Sequence, residues 1–287
     1  ASLLRSICRP LSSAPFPFMS SSNPPSSVSE PEPRPGASGK KADADTGAKL
    51  HFSRFEFKYI LPIDRREELE AQFQYFVELD PYVATKPGKK YFVRSLYFDN
   101  DLHTNYWEKE DGKKHRQKFR LRTYTQTPSD GTPRFLEIKG RHNNLVFKHR
   151  VPLLEAPRED ASSSLLWSKT TNDLIAHLPD GAVREAFQFD LHRKHLKPKM
   201  LVDYLRRPYI SKYDPEFRMT FDDSLRGTQT DLLDPTGKAK SMSVMSGYTI
   251  LEVKFRYHVP KWFHRLIQTM ELKRVSVSKY CKCMQTL

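Results

Sequence analysis

The sequence has few cysteines and no long apolar segment, and each absence excludes a class of protein. Its cysteines, Cys8, Cys281 and Cys283, are too few and too clustered for a disulfide framework, so we expect a reducing compartment. No uninterrupted apolar run approaches the roughly 20 residues that a membrane-spanning helix requires. We therefore expect a soluble chain without a transmembrane segment, located in the cytoplasm.

Acidic residues are also in the minority. The chain has 48 Lys and Arg residues against 34 Asp and Glu residues, which gives a formal net charge of +14. Such an excess predicts an anionic partner, whether nucleic acid, an anionic membrane or phosphate-rich small molecules, and composition alone does not choose among them. With 287 residues, of which 38% are hydrophobic, the chain can form one sizeable core.

The N-terminal segment, residues 1–48, is rich in serine, proline and alanine and has little periodicity. This composition predicts disorder. The segment also contains Arg5 and Arg9, many serines and no acidic residue before Glu30, which is typical of an organellar transit peptide, although a linker has the same character. An organellar location is therefore the alternative to the cytoplasm. Residues 49–287 are predicted to form one folded domain.

A predicted strand at 114–124, KHRQKFRLRTY, carries a cation at every second position. The two-residue period of a β-strand places one row of side chains on the same face: Lys114, Arg116, Lys118, Arg120 and Arg122. Neighbours on that face lie roughly 6.5–7 Å apart, so the row repels itself unless water or a polyanion neutralises it. For a single strand, a solvated edge that blocks aggregation is the simpler interpretation.

The same alternation recurs in most of the other predicted strands. These are the segments RFEFKYIL at 54–61, YFVRSLYFD at 91–99, PRFLEIKGR at 133–141, LVFKHRV at 145–151, KMLVDYLRRPYI at 199–210, FRMTFDD at 217–223 and YTILEVKF at 248–255. Their charged faces carry Lys58, Arg94, Lys139, Lys148, Arg150, Arg206, Arg218 and Lys254, with Glu56, Glu137, Asp222 and Glu252 among them. Arg94 differs, because it shares its face with Phe92 and Leu96 and needs something anionic there.

Segments with helical periodicity separate these strands. We predict a helix from about Arg65 to Leu79 capped by Asp64, a helical cover from Arg158 to about Lys194, and a closing helix from about Pro260 to Leu272. The strands at 114–151 follow one another through short turns, which predicts an antiparallel meander. Residues 226–247 contain turn formers and small polar residues and are predicted to be a flexible loop.

These patterns predict an α+β fold, a closed eight-stranded antiparallel β-barrel with helices packed on the outside. Closure places the polar faces inside and the apolar faces under the helices. The interior is then a tunnel lined by cations, which is costly when empty and favourable around phosphates. The few carboxylates could hold a divalent cation, Mn²⁺ or Mg²⁺, against those phosphates.

The chain from about Phe52 to Tyr280 resembles the catalytic domain of vacuolar transporter chaperone (VTC) polyphosphate polymerases, within the triphosphate tunnel metalloenzymes. The motifs that carry the resemblance occur in order along the chain: FEFKY at 55–59, VRSLYFDN at 93–100, KFRLRTY at 118–124, FLEIKGR at 135–141, FKHRV at 147–151, Tyr204-x-Arg206, RMTFDD at 218–223, LEVKF at 251–255 and SKY at 278–280. Each motif is weak by itself, and together they are fairly specific.

The resemblance implies an enzyme that transfers the γ-phosphoryl group of ATP to a growing inorganic polyphosphate chain, with Mn²⁺ or Mg²⁺ and without a nucleic-acid partner. It implies phosphate-gripping roles for Lys58, Arg94, Arg120, Arg122, Lys139, Lys148, Arg150, Arg206, Arg218 and Lys279. Lys279 would reach into the tunnel from the C-terminal segment, and Glu252 would ligate the metal. Lys118, Tyr204 and Lys254 are predicted to add substrate contacts.

Two other functions stay open on the sequence. One is a hydrolase of the same tunnel class, acting on tripolyphosphate, a nucleoside triphosphate or an RNA 5′-triphosphate. Hydrolases of that class typically begin with Glu-x-Glu-x-Lys, whereas this chain offers only Glu56-x-Lys58 with Arg54 before it, which favours the polymerase. The other is a non-enzymatic polyanion binder, which ranks last because Phe119 and Phe147 lie on the faces opposite the cations.

Overall fold

The computed structural model describes residues 54–126, 132–142, 145–154, 171–235 and 239–286, all of them within the unit Thr46–Leu287. The segment predicted to be disordered, residues 1–48, lies outside this part, as do residues 158–170 of the predicted helical cover. Within the described residues, no helix combines the length and the apolar character that crossing a membrane requires.

One antiparallel sheet organises the described chain. Its strands are β1 (Phe55–Pro62), β2 (Val77–Leu79), β3 (Tyr91–Asp99), β4 (His115–Thr123), β5 (Phe135–His142), β6 (Leu145–Pro152), β7 (Lys197–Ser211), β8 (Arg218–Gln229), β9 (Ser241–Ser243) and β10 (Tyr248–Phe255). They pair in the order β1-β10-β8-β7-β3-β4-β5-β6, while β2 adds to β7 and β9 to β8. The predicted meander of β4, β5 and β6 is confirmed.

The sheet is strongly curled but not closed by strand pairing. Strands β1 and β6 end the pairing order, and the described residues contain no ladder that joins them, so the closed barrel of the prediction is not found. Side chains nevertheless meet across the concave side, since the Lys139 ammonium of β5 lies 3.0 Å from the Glu56 carboxylate of β1. The fold is thus α+β, with a curled sheet around an interior.

Helices accompany this sheet, and several of them cover its convex face. They are α1 (Ile63–Phe73), α2 (Pro81–Ala84), α3 (Thr104–Glu110), α4 (Thr171–Ala176), α5 (Ala182–Lys194), α6 (Lys261–Thr269) and α7 (Lys279–Thr286). One core packs α1 and α6 on β1, β8 and β10, around Phe221 and Phe263. A second packs α4 and α5 on β3, β4 and β5, around Phe119 and Phe187. The outer helices of the prediction are therefore confirmed.

The C-terminal helix α7 is an exception, because it packs on the concave side. Its Tyr280, Cys281 and Cys283 are buried in a third core together with Tyr97 and Val202. The Tyr280 hydroxyl donates to Asp99 Oδ2 at 2.6 Å, at the end of β3. Helix α7 consequently fills the interior at the end where β3 terminates, a feature that the sequence did not predict.

The predicted cap of the first helix by Asp64 is wrong, because α1 begins at Ile63 with Pro62 at its N-cap position. Strand pairing explains two further errors. The helix predicted to reach Leu79 ends at Phe73, because Val77–Leu79 forms β2 against Ser211 and its neighbours on β7. The loop predicted from Arg226 is partly strand, because β8 continues to Gln229 and pairs with β7 on one side and β9 on the other. Pairing partners distant in sequence overrode the local helical pattern in the first case and the local turn propensity in the second.

Candidate functional site

The concave side of the sheet carries cations from seven strands. Directly paired residues of adjacent strands share a face, so the register identifies the interior set. Paired positions place the following cations on this side: Lys58, Lys118, Arg120, Arg122, Lys139, Lys148, Arg150, Arg206, Arg218 and Lys254. The alternation predicted from the sequence therefore brings these ten side chains to one shared interior.

Asp222 of β8 anchors the first ion-pair group. Arg206 of β7 donates to it twice, with Nε–Oδ1 and Nη2–Oδ2 distances of 2.6 and 2.8 Å. The Lys279 ammonium, at the first residue of α7, lies 2.5 Å from Asp222 Oδ2 and 3.8 Å from Glu252. Although burial opposes ionisation, Arg206 and Lys279 lower the pKa of the Asp222 carboxyl. Lys279 thus reaches the interior as predicted.

Glu137 of β5 holds a second group and is completely buried. Arg120 Nε donates to its Oε2 at 2.8 Å, and the Lys148 ammonium lies 2.7 Å from its Oε1. Arg122 and Arg150 approach it more loosely, at 3.6 and 3.8 Å. Burial would raise the pKa of Glu137, but Arg120, Arg122 and Lys148 hold it well below its usual range. One carboxylate therefore organises four cations.

Lys148 is an interior lysine whose pKa lies far below its ordinary value. Burial, aided by the neighbouring guanidinium of Arg120, lowers the pKa of its ammonium to about 7, even though Glu137 acts in the opposite direction. An anion placed beside Lys148 would favour the charged form and restore its proton. The site can accordingly exchange a proton with solvent when a phosphate binds.

The third ion-pair group is built around Glu56 of β1 and Glu252 of β10. Glu56 accepts from the Lys139 ammonium at 3.0 Å and lies 3.0 Å from that of Lys58. Glu252 lies 2.6 Å from the Lys254 ammonium and 3.9 Å from Lys58. The neighbouring lysines outweigh burial and lower the pKa of both carboxyls. Each interior carboxylate is therefore ionised and surrounded by cations, and the interior neutralises part of its own charge.

Aromatic and hydroxyl groups of β3 also line the interior, and sequence reasoning missed them. Arg120 Nη1 donates to the Tyr97 hydroxyl at 2.7 Å, and Arg122 donates to Ser95 Oγ and to the Tyr204 hydroxyl at 3.1 and 3.2 Å. These contacts fix the two guanidiniums in place. The available signal was that Ser95 and Tyr97 alternate with apolar Leu96, which marks them as the polar face.

Arg94 does not belong to this site, and its prediction as an interior residue is wrong. It pairs with Asp203 of β7 on the convex side, where its Nε and Nη2 donate to the two carboxylate oxygens at 3.1 and 2.9 Å. Asp234 adds a contact at 3.2 Å. Asp203 and Asp234 therefore supply the anionic partner that the sequence predicted for Arg94, so Arg94 has a structural role.

The remaining predicted residues occupy the two ends of the interior. Lys118 lies beside α7, where its ammonium is 3.2 Å from Cys281 Sγ and 4.8 Å from the Tyr280 ring centroid. Arg218 is exposed at the opposite end and pairs in register with Lys254. Tyr204 is buried between the two ends, with Arg206 5.3 Å from its ring centroid. Arg218 thus marks the open mouth, and Lys118 marks the end that α7 fills.

Few protein groups are available to hold a metal. The described residues contain no cluster of three or more His, Cys, Asp or Glu side chains with metal-site geometry. Glu252 is buried and central, but cations surround its carboxylate. This donor set fits a Mg²⁺ or Mn²⁺ ion that takes most of its ligands from phosphate and water, and it does not fit a site made of several carboxylates.

Comparison with known proteins gives one match to a family and several distant structural similarities. The family model described as VTC domain matches residues 53–287. No curated protein matches the chain significantly. The solved structures include a candidate adenylate cyclase from Bacillus halodurans, with 15% identity over 79% of this chain and 94% of that chain and a TM-score of 0.46.

A protein of Pyrococcus horikoshii OT3 is similar at 12% identity, with 81% and 98% of the two chains covered and a TM-score of 0.38. The Mimivirus capping enzyme triphosphatase is similar at 9% identity, with 80% and 91% covered and a TM-score of 0.31. These similarities are distant. The description of the fold rests on the strand pairing itself.

Proposed function

Because the chain belongs to the VTC domain family, we propose that it is a polyphosphate polymerase that uses ATP. In the proposed reaction, a terminal oxygen of a polyphosphate chain bonds to the γ-phosphorus of ATP while the bond from that phosphorus to the β-bridging oxygen breaks. ADP leaves with the electron pair, and polyphosphate grows by one unit. The observation that carries the proposal is the convergence of Lys and Arg from seven strands on one concave surface.

The interior suits phosphoryl transfer, because this chemistry needs positioning and charge neutralisation more than a protein nucleophile. Arg120 and Arg122 are held by Tyr97, Ser95 and Tyr204, so their donors are oriented before substrate arrives. Preorganised donors lose little conformational freedom on binding. We assign these arginines to the transferring phosphates.

The other interior cations would bind the neighbouring phosphates of ATP and of the polymer. They are Lys58, Lys139, Lys148, Arg150, Arg206, Arg218 and Lys279, with Lys118 and Lys254 adding contacts toward the ends and Tyr204 between them. A divalent metal would lie against Glu252 and supply charge neutralisation between phosphates. Glu56 and Glu137 already form ion pairs with interior lysines and arginines. This favours a polymerase over a hydrolase whose metal site is made of several carboxylates.

Incubation with ATP, a short polyphosphate primer and Mn²⁺ or Mg²⁺ tests the proposal, with products sized by electrophoresis and ADP measured in parallel. The polymerase yields longer polyphosphate and ADP in matched amounts. Release of inorganic phosphate without elongation indicates the hydrolase instead. Binding without any turnover, with either metal, indicates a polyanion-binding protein and contradicts the enzymatic proposal.

A further inference from the structure

A group of aromatic side chains lines the open mouth of the interior, next to the cations. We call Tyr82, Tyr91, Tyr124 and Phe135 the aromatic rim. The Tyr91 ring lies 5.2 Å from that of Tyr82 and 5.8 Å from that of Tyr124, and Tyr124 lies 6.3 Å from Phe135. The four rings therefore form one continuous chain of contacts.

Strand register connects this rim to the cationic interior. Tyr91 pairs with Arg206, and Phe135 pairs with Arg122, so both rings share the concave face with those guanidiniums. Tyr124 follows Arg122 by two positions, a step of about 6.5 Å along an extended chain. The rim thus continues the cation-lined surface outward by one side-chain position, at the end that α7 leaves free.

The rim rings are accompanied by cations and are partly exposed. The Arg150 guanidinium lies 3.4 Å from the Phe135 centroid and 5.5 Å from that of Tyr124, and the Lys86 ammonium lies 4.3 Å from that of Tyr82. Tyr82 is 54% exposed, whereas Tyr91, Tyr124 and Phe135 are half-buried. Aromatic faces interleaved with Arg and Lys are the arrangement that binds nucleobases by stacking without reading their sequence.

We propose that the aromatic rim binds the base of a nucleoside triphosphate whose phosphates occupy the cationic interior. This inference rests on the proposed function for its phosphate site, and it adds a reason for choosing a nucleotide over inorganic triphosphate as phosphoryl donor. The base lies at the mouth and the γ-phosphate points inward, toward Arg120 and Glu137. Stacking predicts weak selectivity among bases, because every base offers an aromatic face.

The rim also orients the donor along the interior. A nucleotide held by its base at the mouth cannot slide fully inside, so its γ-phosphate reaches a fixed depth. Inorganic polyphosphate has no base and is free to move along the same row of cations. The rim therefore distinguishes the donor, which must be held in one register, from the polymer, which must advance.

The test compares ATP with inorganic tripolyphosphate by calorimetry, using wild type, Tyr124→Leu and Tyr91→Leu. We expect the Kd for ATP to rise about tenfold in each variant, as the loss of one stacked ring predicts, with the Kd for tripolyphosphate unchanged. Tyr124→Phe, which keeps the ring, should bind ATP as wild type does. Phe189→Leu removes an exposed aromatic beside Arg193 on α5, outside the interior, and serves as the matched control.

Parallel weakening of ATP and tripolyphosphate, or no change in ATP affinity, would overturn the rim proposal. Tripolyphosphate that fails to bind wild type would instead contradict the proposed function, so the two failures are distinguishable. Should Tyr91→Leu unfold, Tyr82→Leu replaces it, because Tyr82 is exposed and its loss removes little buried surface.

Discussion

Lys139 of β5 and Glu56 of β1 form an ion pair at 3.0 Å, although five strands lie between theirs in the pairing order of the sheet. The contact shows that the two ends of the sheet approach each other around the interior. It also shows that the Lys139 ammonium is held by one of the protein's own carboxylates. Binding of phosphate must compete with such pairs.

Arg120→Ala should weaken tripolyphosphate binding by about ten- to a hundredfold. The change removes a charged donor and leaves Glu137 less neutralised, which repels an incoming phosphate. Calorimetric titration of the folded variant measures the effect. Affinity equal to that of wild type would contradict the assignment of Arg120 to the phosphate site.

Arg94→Ala should lower the free energy of unfolding by about 3 kcal/mol, since it leaves the Asp203 carboxylate partly buried without its main partner. Tripolyphosphate affinity of the folded protein should stay within twofold of wild type. Urea unfolding and calorimetry give the two quantities. Because Arg94→Ala also removes an arginine, it is the matched control for Arg120→Ala.

Phosphate affinity should fall as the pH rises through 7, because the pKa of Lys148 in the free protein is about 7 and phosphate binds its charged form. Lys148→Arg keeps the positive charge over this range and should remove this part of the pH dependence. The affinity of wild type is divided by that of Lys148→Arg at each pH between 6 and 8. This ratio cancels the ionisation of the phosphates, which is the same for both proteins. A constant ratio would show that Lys148 does not titrate near 7.

Glu252→Gln should separate metal-dependent turnover from phosphate binding. This substitution removes the negative charge beside the ammonium groups of Lys58, Lys254 and Lys279. In the absence of metal, tripolyphosphate should therefore bind more tightly than it does to wild type. Turnover with Mn²⁺ or Mg²⁺ should fall at least about tenfold, because the metal loses its carboxylate ligand. Undiminished turnover with either metal would contradict Glu252 as that ligand.

Acid should destabilise the fold through the interior carboxylates. The pKa of Asp222 is lower in the folded protein than its ordinary value of 3.8, so its stabilising contribution is present above that value and is lost as the pH falls toward the folded pKa. Asp222→Asn should be less stable than wild type at pH 7 and should lose less stability between pH 7 and pH 3. Urea midpoints at both pH values measure this. Equal losses would mean that Asp222 contributes nothing to acid unfolding.

The sequence by itself determined which faces of most strands are charged. In β4 and β10 all Lys, Arg and Glu residues occupy alternate positions, and these are interior positions in the structure. The period failed for β3, where the charge of Arg94 pointed to the wrong face. Its neighbours Phe92 and Leu96 gave the correct signal, because an apolar face packs under helices.

Only the tertiary structure decided which charges neutralise each other. Arg206 and Asp222 lie 16 positions apart in the chain, and Lys139 and Glu56 lie 83 apart, so no local pattern couples them. The packing of α7 inside the sheet also depends on contacts with Asp99 and Tyr97, which are far from α7 in the sequence. A two-residue period fixes the direction of a side chain, whereas pair formation requires the curvature that brings distant strands together.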